Sequence, residues 1–280
     1  MKYVSTLAID SNEEEFFEEF SKSNIGVEFS SGGLGHVTSS NIEKFQMFQG
    51  KKIVHNYFPC YDKDPFVLNL ASQETNTRKR SIAHAKLCID LTSENSFEKF
   101  YAIHAGFNYE LKVKDLGNKI ESLVLLNQKE YFNSFIDSLL EINEYAKVKQ
   151  VKLLVENNVL IRENFKNQKI PFQCVEADGI SEIFNSLNDI NIGLLLDTAH
   201  LKVSCKTLGK DPLKELKKIA PYIKAIHHSD NDGYYDTNSP ITENYWFNPF
   251  LRDFRNLPQV LEVKKQKLKN IYEQLNILDV

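Results

Sequence analysis

The feature that most constrains the fold of this chain is a repeated alternation between short apolar runs and longer helical stretches. Parallel strands need helical crossovers, and strands that are covered on both faces are continuously apolar. Eight runs rich in β-branched or aromatic residues are predicted to be strands: Tyr3–Ile9, Ile25–Phe29, Lys52–His55, Phe100–His104, Val151–Val155, Ile192–Leu196, Ile223–His227 and Val260–Val263. The alternation predicts an α/β fold, and the count of eight favours a (β/α)₈ TIM barrel over a doubly wound sheet.

Helix signals fill the intervals between these runs. Helices are predicted to start at Ser11-Asn12 and Asp211-Pro212, to span Thr77–Leu91, Lys129–Lys147 and Gly179–Leu187, and to close the chain over Lys264–Leu275. No linker or low-complexity tract divides the sequence, so we expect a single domain over residues 1–280. The segment 229–258 is rich in Gly, Asp, Asn, Pro and aromatic residues, and we expect a long ordered loop over the active-site face.

Composition narrows the class of protein. The net charge is −4, with no basic excess that would advertise a nucleic-acid partner. The longest apolar runs, such as Ile192–Leu196, are far too short to cross a membrane. The first ten residues lack the pattern of a secretory signal. The four cysteines form no C-x-x-C pair and are expected to be reduced, packed thiols. Together these features predict a cytoplasmic protein without a membrane partner.

Polar residues mark the strand ends, where the active sites of such barrels lie. Seven of the eight predicted strands end in or contain a terminal His, Asp or Glu: Glu28, His55, His104, Glu156, Asp197, His227 and Glu262. Charged groups that converge in a barrel mouth repel one another, and a divalent cation reverses that cost. The sequence therefore predicts a metal site built from Glu156, Asp197, His227 and Glu262. At Glu28 both a site role and a structural role stay open, as does the choice between His227 and His228.

Four short motifs in the C-terminal half carry a family resemblance. They are Val155-Glu156-Asn157-Asn158, Leu196-Asp197-Thr198-Ala199-His200, His227-His228-Ser229-Asp230-Asn231 and Leu261-Glu262. In this order they resemble the E-N, D-T-x-H, H-x-x-D-N and terminal Glu motifs of the xylose isomerase-like barrel superfamily. That superfamily includes sugar isomerases, sugar epimerases and the endonuclease IV family.

The middle of the chain resembles endonuclease IV more closely. Its strand-end His55 is followed by Phe66–Ser72, which contains Leu-Asn-Leu-Ala-Ser, and then by His104-Ala105-Gly106. In the nuclease family both histidines help to hold a trinuclear zinc cluster. The chain departs from that family twice. Its D-x-H motif is at best Asp236-Thr237-Asn238, and the loop Ser30–Gly35 has no Lys or Arg to reach a DNA backbone. The amide of Asn238 in place of an imidazole should weaken one zinc site, and the neutral loop argues against a nucleic-acid partner.

The resemblance implies a metal-dependent isomerase or epimerase that acts on a sugar or sugar phosphate. Glu156 and Glu262 would then be the catalytic pair that moves a proton through a metal-stabilised enediolate. The mixed carboxylate and imidazole ligands suit Mn, Co or Zn better than Mg. One ion is favoured, with two or three left open.

Five further residues are predicted to bind substrate or additional metal: His55, His104, His200, Asp230 and Asp236. Used as metal ligands, His55, His104, His200 and Asp236 would suit the alternative hypothesis, an endonuclease IV-like zinc phosphodiesterase. A non-catalytic binding barrel is a lesser alternative. The presence of all four predicted metal ligands argues against it. The oligomeric state stays open, although superfamily isomerases often form homo-oligomers.

Overall fold

The computed structural model describes residues 1–30, 33–34, 38–59, 65–113, 119–120 and 127–279. Eight parallel strands form one sheet in the order β3-β2-β1-β8-β7-β6-β5-β4. They are β1 Lys2–Ser5, β2 Gly26–Phe29, β3 Lys52–Val54, β4 Phe100–His104, β5 Lys152–Glu156, β6 Ile192–Asp197, β7 Ile223–His228 and β8 Gln259–Leu261. A parallel bridge between His55 and Ala102 joins the two outer strands. The predicted (β/α)₈ TIM barrel is confirmed.

Helices separate the strands and cover the outside of the barrel. They are α1 Glu13–Ser21, α2 Thr38–Met47, α3 Thr75–Asn95, α4 Gln128–Val148, α5 Ala177–Leu187, α6 Thr198–Leu208, α7 Pro212–Ile219, α8 Leu251–Phe254 and α9 Leu268–Ile277. The predicted starts at Asn12 and Asp211 are helix caps, since their side chains accept hydrogen bonds from Glu15 N and Leu213 N. Among the described residues, no helix is both long and apolar enough to cross a lipid bilayer.

Two predicted elements are shorter in the structure. The first strand was predicted to run to Ile9, but β1 ends at Ser5 and a 3₁₀ turn follows over Thr6–Ala8. The closing helix was predicted from Lys264, but α9 begins at Leu268. The amides of Lys264, Lys265 and Gln266 instead donate to the carbonyls of Asn238, Leu7 and Ala8. These backbone bonds tie the end of β8 to neighbouring loops and delay the helix.

The apolar core has two parts. The larger part fills the space between the strands and the helices. The smaller part is the barrel interior, formed by Tyr3, Ile53, Phe100, Ala102, Leu154, Leu195, Ala225 and Val260. Because side chains alternate between the two faces of a strand, the residue two places after each interior residue also points toward the barrel axis. That register decides which strand-end side chains can meet.

The segment 229–258 carries short structure of its own. It contains a bridge between Asp230 and Ser239, a 3₁₀ turn over Asn248–Phe250, and α8. Tyr245 is buried, and its hydroxyl contacts Thr198 at the start of α6 and Nδ1 of His228 on β7. The loop is therefore packed against the carboxyl ends of β6 and β7.

Candidate metal centre

Six polar side chains sit one layer above the apolar barrel interior. Each lies two residues after an interior residue of its strand, the pairs being Ile53 and His55, Ala102 and His104, Leu154 and Glu156, Leu195 and Asp197, Ala225 and His227, and Val260 and Glu262. The alternation of a strand places both members of a pair on the same face. The strand ends therefore build a polar ring directly on top of the core.

Four of these side chains form the group predicted from the sequence. One ligand atom from each of Glu156, Asp197, His227 and Glu262 lies within 4.8 Å of the others. Nδ1 of His227 is 3.0 Å from Oε2 of Glu262 and 3.6 Å from Oε1 of Glu156. All four side chains are buried or nearly so, with Glu262 the most exposed at 13%. The group offers three carboxylates and one imidazole to a single point.

A second group shares Glu156 with the first. Oε2 of Glu156 lies 3.1 Å from Nε2 of His55 and 3.2 Å from Nε2 of His104. One atom from each of these three residues lies within 4.8 Å of the others. The structure therefore brings His55 and His104 into contact with the predicted ligand set.

Glu28 belongs to the same ring, although the sequence left its role open. It lies in β2, is 1% exposed, and its Oε2 lies 2.8 Å from Nε2 of His227. Glu28, His55 and His227 form a third group of potential ligand atoms. The signal in the sequence that could have assigned Glu28 to the site is a carboxylate near the end of an apolar, buried strand.

The remaining predicted residues divide into two kinds. His200 and Asp236 lie beside the ring, with Nε2 of His200 3.3 Å from Oδ2 of Asp236 and 3.7 Å from Oδ2 of Asp197. Asp230 is engaged elsewhere, since its Oδ1 accepts a 2.6 Å hydrogen bond from Nζ of Lys202. Asp230 thus has a structural partner and belongs to none of the ligand groups found among the described residues.

The adjacent histidines of β7 point in opposite directions. His227 faces the ring, whereas Nδ1 of His228 lies 3.0 Å from the Tyr245 hydroxyl and its Nε2 contacts Gln259. Burial lowers the pKa of His228 to about 4, so this ring is neutral near pH 7. The strand register therefore selects His227 for the site, a choice that residue spacing alone left open.

Two asparagines hold the strand ends in place. The Asn157 side chain accepts a 2.7 Å hydrogen bond from Asp197 N and donates to Asp197 O. Oδ1 of Asn56, a residue with φ of 41°, accepts a hydrogen bond from His104 N. The sequence predicts Asn157 only as part of a motif and predicts no role for Asn56. Both side chains bond to the backbone of a neighbouring strand, and the local sequence does not reveal such contacts.

The chemistry of this ring fits a divalent cation. Both carboxylate oxygens of Glu156, Oδ2 of Asp197 and Oε1 of Glu28 are buried without a hydrogen bond of good geometry. Burial, reinforced by the Glu262 and Asp236 carboxylates, raises the pKa of Asp197 to about 7 against the opposing effect of His200. Burial also acts to raise the pKa of Glu156, but His104 and His55 hold it well below its ordinary value. A cation at this point would satisfy the bare oxygens and relieve the repulsion between them.

Of the two departures from the nuclease pattern, Asn238 lies within the described residues, whereas part of the loop Ser30–Gly35 lies outside them. Asn238 is buried with φ of 45°, and its carbonyl accepts from Lys264 N. In the loop after β2, residues 31–32 and 35 lie outside the described residues.

A family model described as a xylose isomerase-like TIM barrel matches residues 41–276. The chain belongs to this family. The match covers β3 to β8, and so every residue of the ring except Glu28.

Individual relatives support the fold at low identity. A D-tagatose 3-epimerase-like protein is 21% identical, with a TM-score of 0.72 over 100% of this chain and 98% of that chain. The TTHB071 protein from Thermus thermophilus, soaked with ZnCl₂, is 18% identical, with a TM-score of 0.66 over 99% and 96% of the two chains. A probable endonuclease 4 from Mesomycoplasma hyopneumoniae (strain 7448) is 27% identical over 188 residues, which cover 61% of this chain and 68% of that protein.

Proposed function

We propose that this chain is a divalent-metal-dependent isomerase or epimerase that acts on a small sugar or sugar phosphate. The observation that carries the proposal is the convergence of Glu156 and Glu262 on His227, with Asp197 completing the group. Two carboxylates at one point can remove a proton from a substrate carbon and return it to another position. The solved relatives include a D-tagatose 3-epimerase-like protein, which fits this class of reaction.

In this proposal the chain's residues divide the work. Glu262 is the more exposed carboxylate and would meet the substrate first, whereas Glu156 is 1% exposed and held by the imidazoles around it. Asp197 and His227 would complete the ligand set, and His200 and His104 would contact substrate hydroxyl groups. A cation bound by Glu156, Asp197, His227 and Glu262 would act as a Lewis acid on the substrate carbonyl and hydroxyl oxygens. The mixed oxygen and nitrogen ligands suit Mn²⁺, Co²⁺ or Zn²⁺ better than Mg²⁺.

Hydrogen exchange tests the proposal directly. Ketoses from dihydroxyacetone to fructose and tagatose are incubated with the metal-loaded protein in D₂O, and deuterium at carbon is followed by NMR. We expect exchange with at least one ketose and its loss, by about 10²-fold or more, in Glu262→Gln. Glu14→Gln, an exposed substitution on α1, is the matched control and should exchange at the native rate. Exchange that survives unchanged in Glu262→Gln would remove that carboxylate from the reaction.

A second candidate is metal-dependent phosphodiester hydrolysis. The specific observation in its favour is the second ligand group, in which His55 and His104 share Glu156 with the first. Adjacent ions can stabilise both the attacking and the leaving oxygen of a phosphodiester. The net charge of −4 opposes a nucleic-acid substrate. Cleavage of bis(4-nitrophenyl) phosphate or of an abasic-site duplex, without deuterium exchange on any ketose, would replace the first proposal with this one.

A further inference from the structure

A cavity of about 420 Å³ opens directly beside the metal-ligand ring. His104, His200 and Asp236 belong both to its lining and to the ring or its edge. The His104 side chain is 27% exposed, more than the other ring histidines, because it faces this cavity. A volume of this size is typical of small-molecule sites. A substrate whose oxygens reach the ring would therefore extend into this space.

The rest of the lining is mainly apolar. Three aromatic rings form one wall: the Phe107 and Phe172 centroids are 5.7 Å apart in an edge-to-face arrangement, and Tyr109 lies 6.5 Å from Phe107. An antiparallel bridge between Phe107 and Phe172 fixes their backbones. Leu68, Leu111, Ile120, Val159 and Ile161 line the same cavity. The wall is thus preformed and offers mostly carbon atoms to a ligand.

Several of the amides and phenols that border the cavity, among them Asn158, Asn164, Tyr57 and Tyr235, form hydrogen bonds within the protein. The Asn158 side chain donates to the carbonyls of Ala105 and Gln173. Oδ1 of Asn164 accepts from Ile120 N, and the Tyr57 hydroxyl accepts from Leu68 N. A sugar hydroxyl placed against these groups would lose hydration without gaining an equivalent partner, which costs binding free energy.

The charge around the cavity also limits the ligand. Lys264 is the one lysine or arginine among the described residues that line it. Burial acts to raise the pKa of the nearby Asp236, but His200 and, less strongly, Lys264 hold it below its ordinary value, so both cations are already engaged with that carboxylate. A phosphate group there would face Asp236 and the carboxylates of the ring. The cavity therefore suits a neutral substituent better than a phosphorylated one.

We propose that the substrate carries an apolar substituent, aromatic or branched alkyl, which occupies this cavity while its carbonyl and hydroxyl oxygens face the ring. This inference rests on the proposed metal-dependent function and narrows its substrate class to unphosphorylated hydroxy-carbonyl compounds with an apolar end. Leu111 and Val159, half-buried in the lining, are specificity-determining residues in this account.

Hydroxamates test the proposal because they bind a divalent ion through two oxygens and vary only in the attached group. The zinc-loaded protein is titrated by calorimetry with acetohydroxamate, benzohydroxamate and glycolohydroxamate. The phenyl group should bury several carbons that the methyl group lacks, so we expect benzohydroxamate to bind at least about tenfold tighter than acetohydroxamate. Glycolohydroxamate, which adds a hydroxyl, should bind no tighter than acetohydroxamate.

Variants assign any preference to the cavity. Leu111→Asn and Val159→Asn should each reduce the benzohydroxamate-to-acetohydroxamate affinity ratio by about fivefold or more, with unchanged zinc content and melting temperature as the checks on folding. Leu140→Asn, an exposed leucine on α4, is the matched control and should leave the ratio unchanged. The ratio cancels the affinity of the hydroxamate for the metal itself.

The outcomes separate the two proposals. Equal affinities for all three hydroxamates, the tightest binding by glycolohydroxamate, or a ratio unaffected in both cavity variants would overturn the apolar substituent and leave the metal-dependent function standing. If no hydroxamate binds and the protein holds no zinc, the metal centre fails and both proposals fall with it.

Discussion

Glu28 and His227, which lie 199 residues apart in the sequence, meet at the carboxyl ends of β2 and β7, where Oε2 of Glu28 is 2.8 Å from Nε2 of His227. The other ring nitrogen, Nδ1, faces Glu156 and Glu262. A histidine that ligates a metal usually donates its second N–H to a carboxylate, which fixes both tautomer and orientation. Glu28 is therefore placed to orient His227 toward a bound ion.

The first prediction concerns this pair. Glu28→Gln replaces a charged acceptor with an amide of the same shape, so His227 keeps its volume but loses its orienting partner. We expect metal affinity to fall about 10-fold to 100-fold, which is typical of such orienting carboxylates. Competition with a chromophoric chelator measures the change, with Glu14→Gln as the control. Native affinity in Glu28→Gln would show that the contact does not orient the ligand.

The second prediction concerns the number of ions. His104 contributes to the group that shares only Glu156 with the main ligand set. If one ion serves the proposed isomerase, His104→Ala should keep about one ion per chain by mass spectrometry of the metal content. A native content of two ions that falls to one in His104→Ala would argue for an occupied second group, and with it for phosphodiester hydrolysis.

A third prediction follows from the backbone at Asn56. Its φ is 41°, its Oδ1 accepts from His104 N, and its carbonyl accepts hydrogen bonds from His84 and Tyr101. Asn56→Ala removes the side-chain acceptor and retains a Cβ in the left-handed region, so the free energy of unfolding should fall by about 2 kcal/mol. Asn56→Gly removes the same acceptor without the steric cost and should recover roughly half of that loss. Chemical denaturation of both variants measures the difference, and equal losses would rule out a conformational contribution.

The fourth prediction is a pH dependence of stability that resides in His84. Burial lowers the pKa of this ring to about 4, while Nε2 contacts the Asn56 carbonyl at 2.7 Å. Well above the ordinary histidine pKa of about 6.5 the ring is neutral in both states. As the pH falls from that value to about 4, His84 becomes protonated in the unfolded chain but stays neutral in the folded protein. The free energy of unfolding therefore falls by about 3 kcal/mol.

His84→Gln isolates that contribution, because the amide can donate to the Asn56 carbonyl but does not titrate. The loss of unfolding free energy between about pH 6.5 and about pH 4.5 should be about 2 kcal/mol smaller in the variant than in the native protein. Denaturation of the two proteins across this range makes the comparison. A loss of the same size in both would place the titration elsewhere.

The parts of the fold that could be predicted from sequence are those set by local pattern. The run Ile192–Leu196 is apolar on both faces and flanked by polar residues, and β6 covers it with one added residue, Asp197. The start of the closing helix could not be predicted in the same way. The backbone amides of Lys264–Gln266 donate to carbonyls from the loop before β8 and from the turn after β1. Helix propensity depends on the local sequence and cannot predict such long-range contacts.

The site shows the same division. A polar residue at the end of an apolar run was enough to predict that Glu156, Asp197 and Glu262 lie close together, as they do in the structure. Spacing could not separate Asp230 from the ring, because only the fold brings Lys202 within 2.6 Å of its carboxylate. The role of Glu28 likewise depends on a partner from β7, which the local sequence around β2 does not reveal.

Metal content tests the central claim most directly. The native protein and a Glu156→Gln, Asp197→Asn double variant are purified without added chelator, and their divalent metals are identified and counted by mass spectrometry. The account predicts about one Mn, Co or Zn ion per native chain and none in the double variant, with both proteins folded by circular dichroism. A folded native protein that carries no metal and gains none on dialysis against these ions would contradict it.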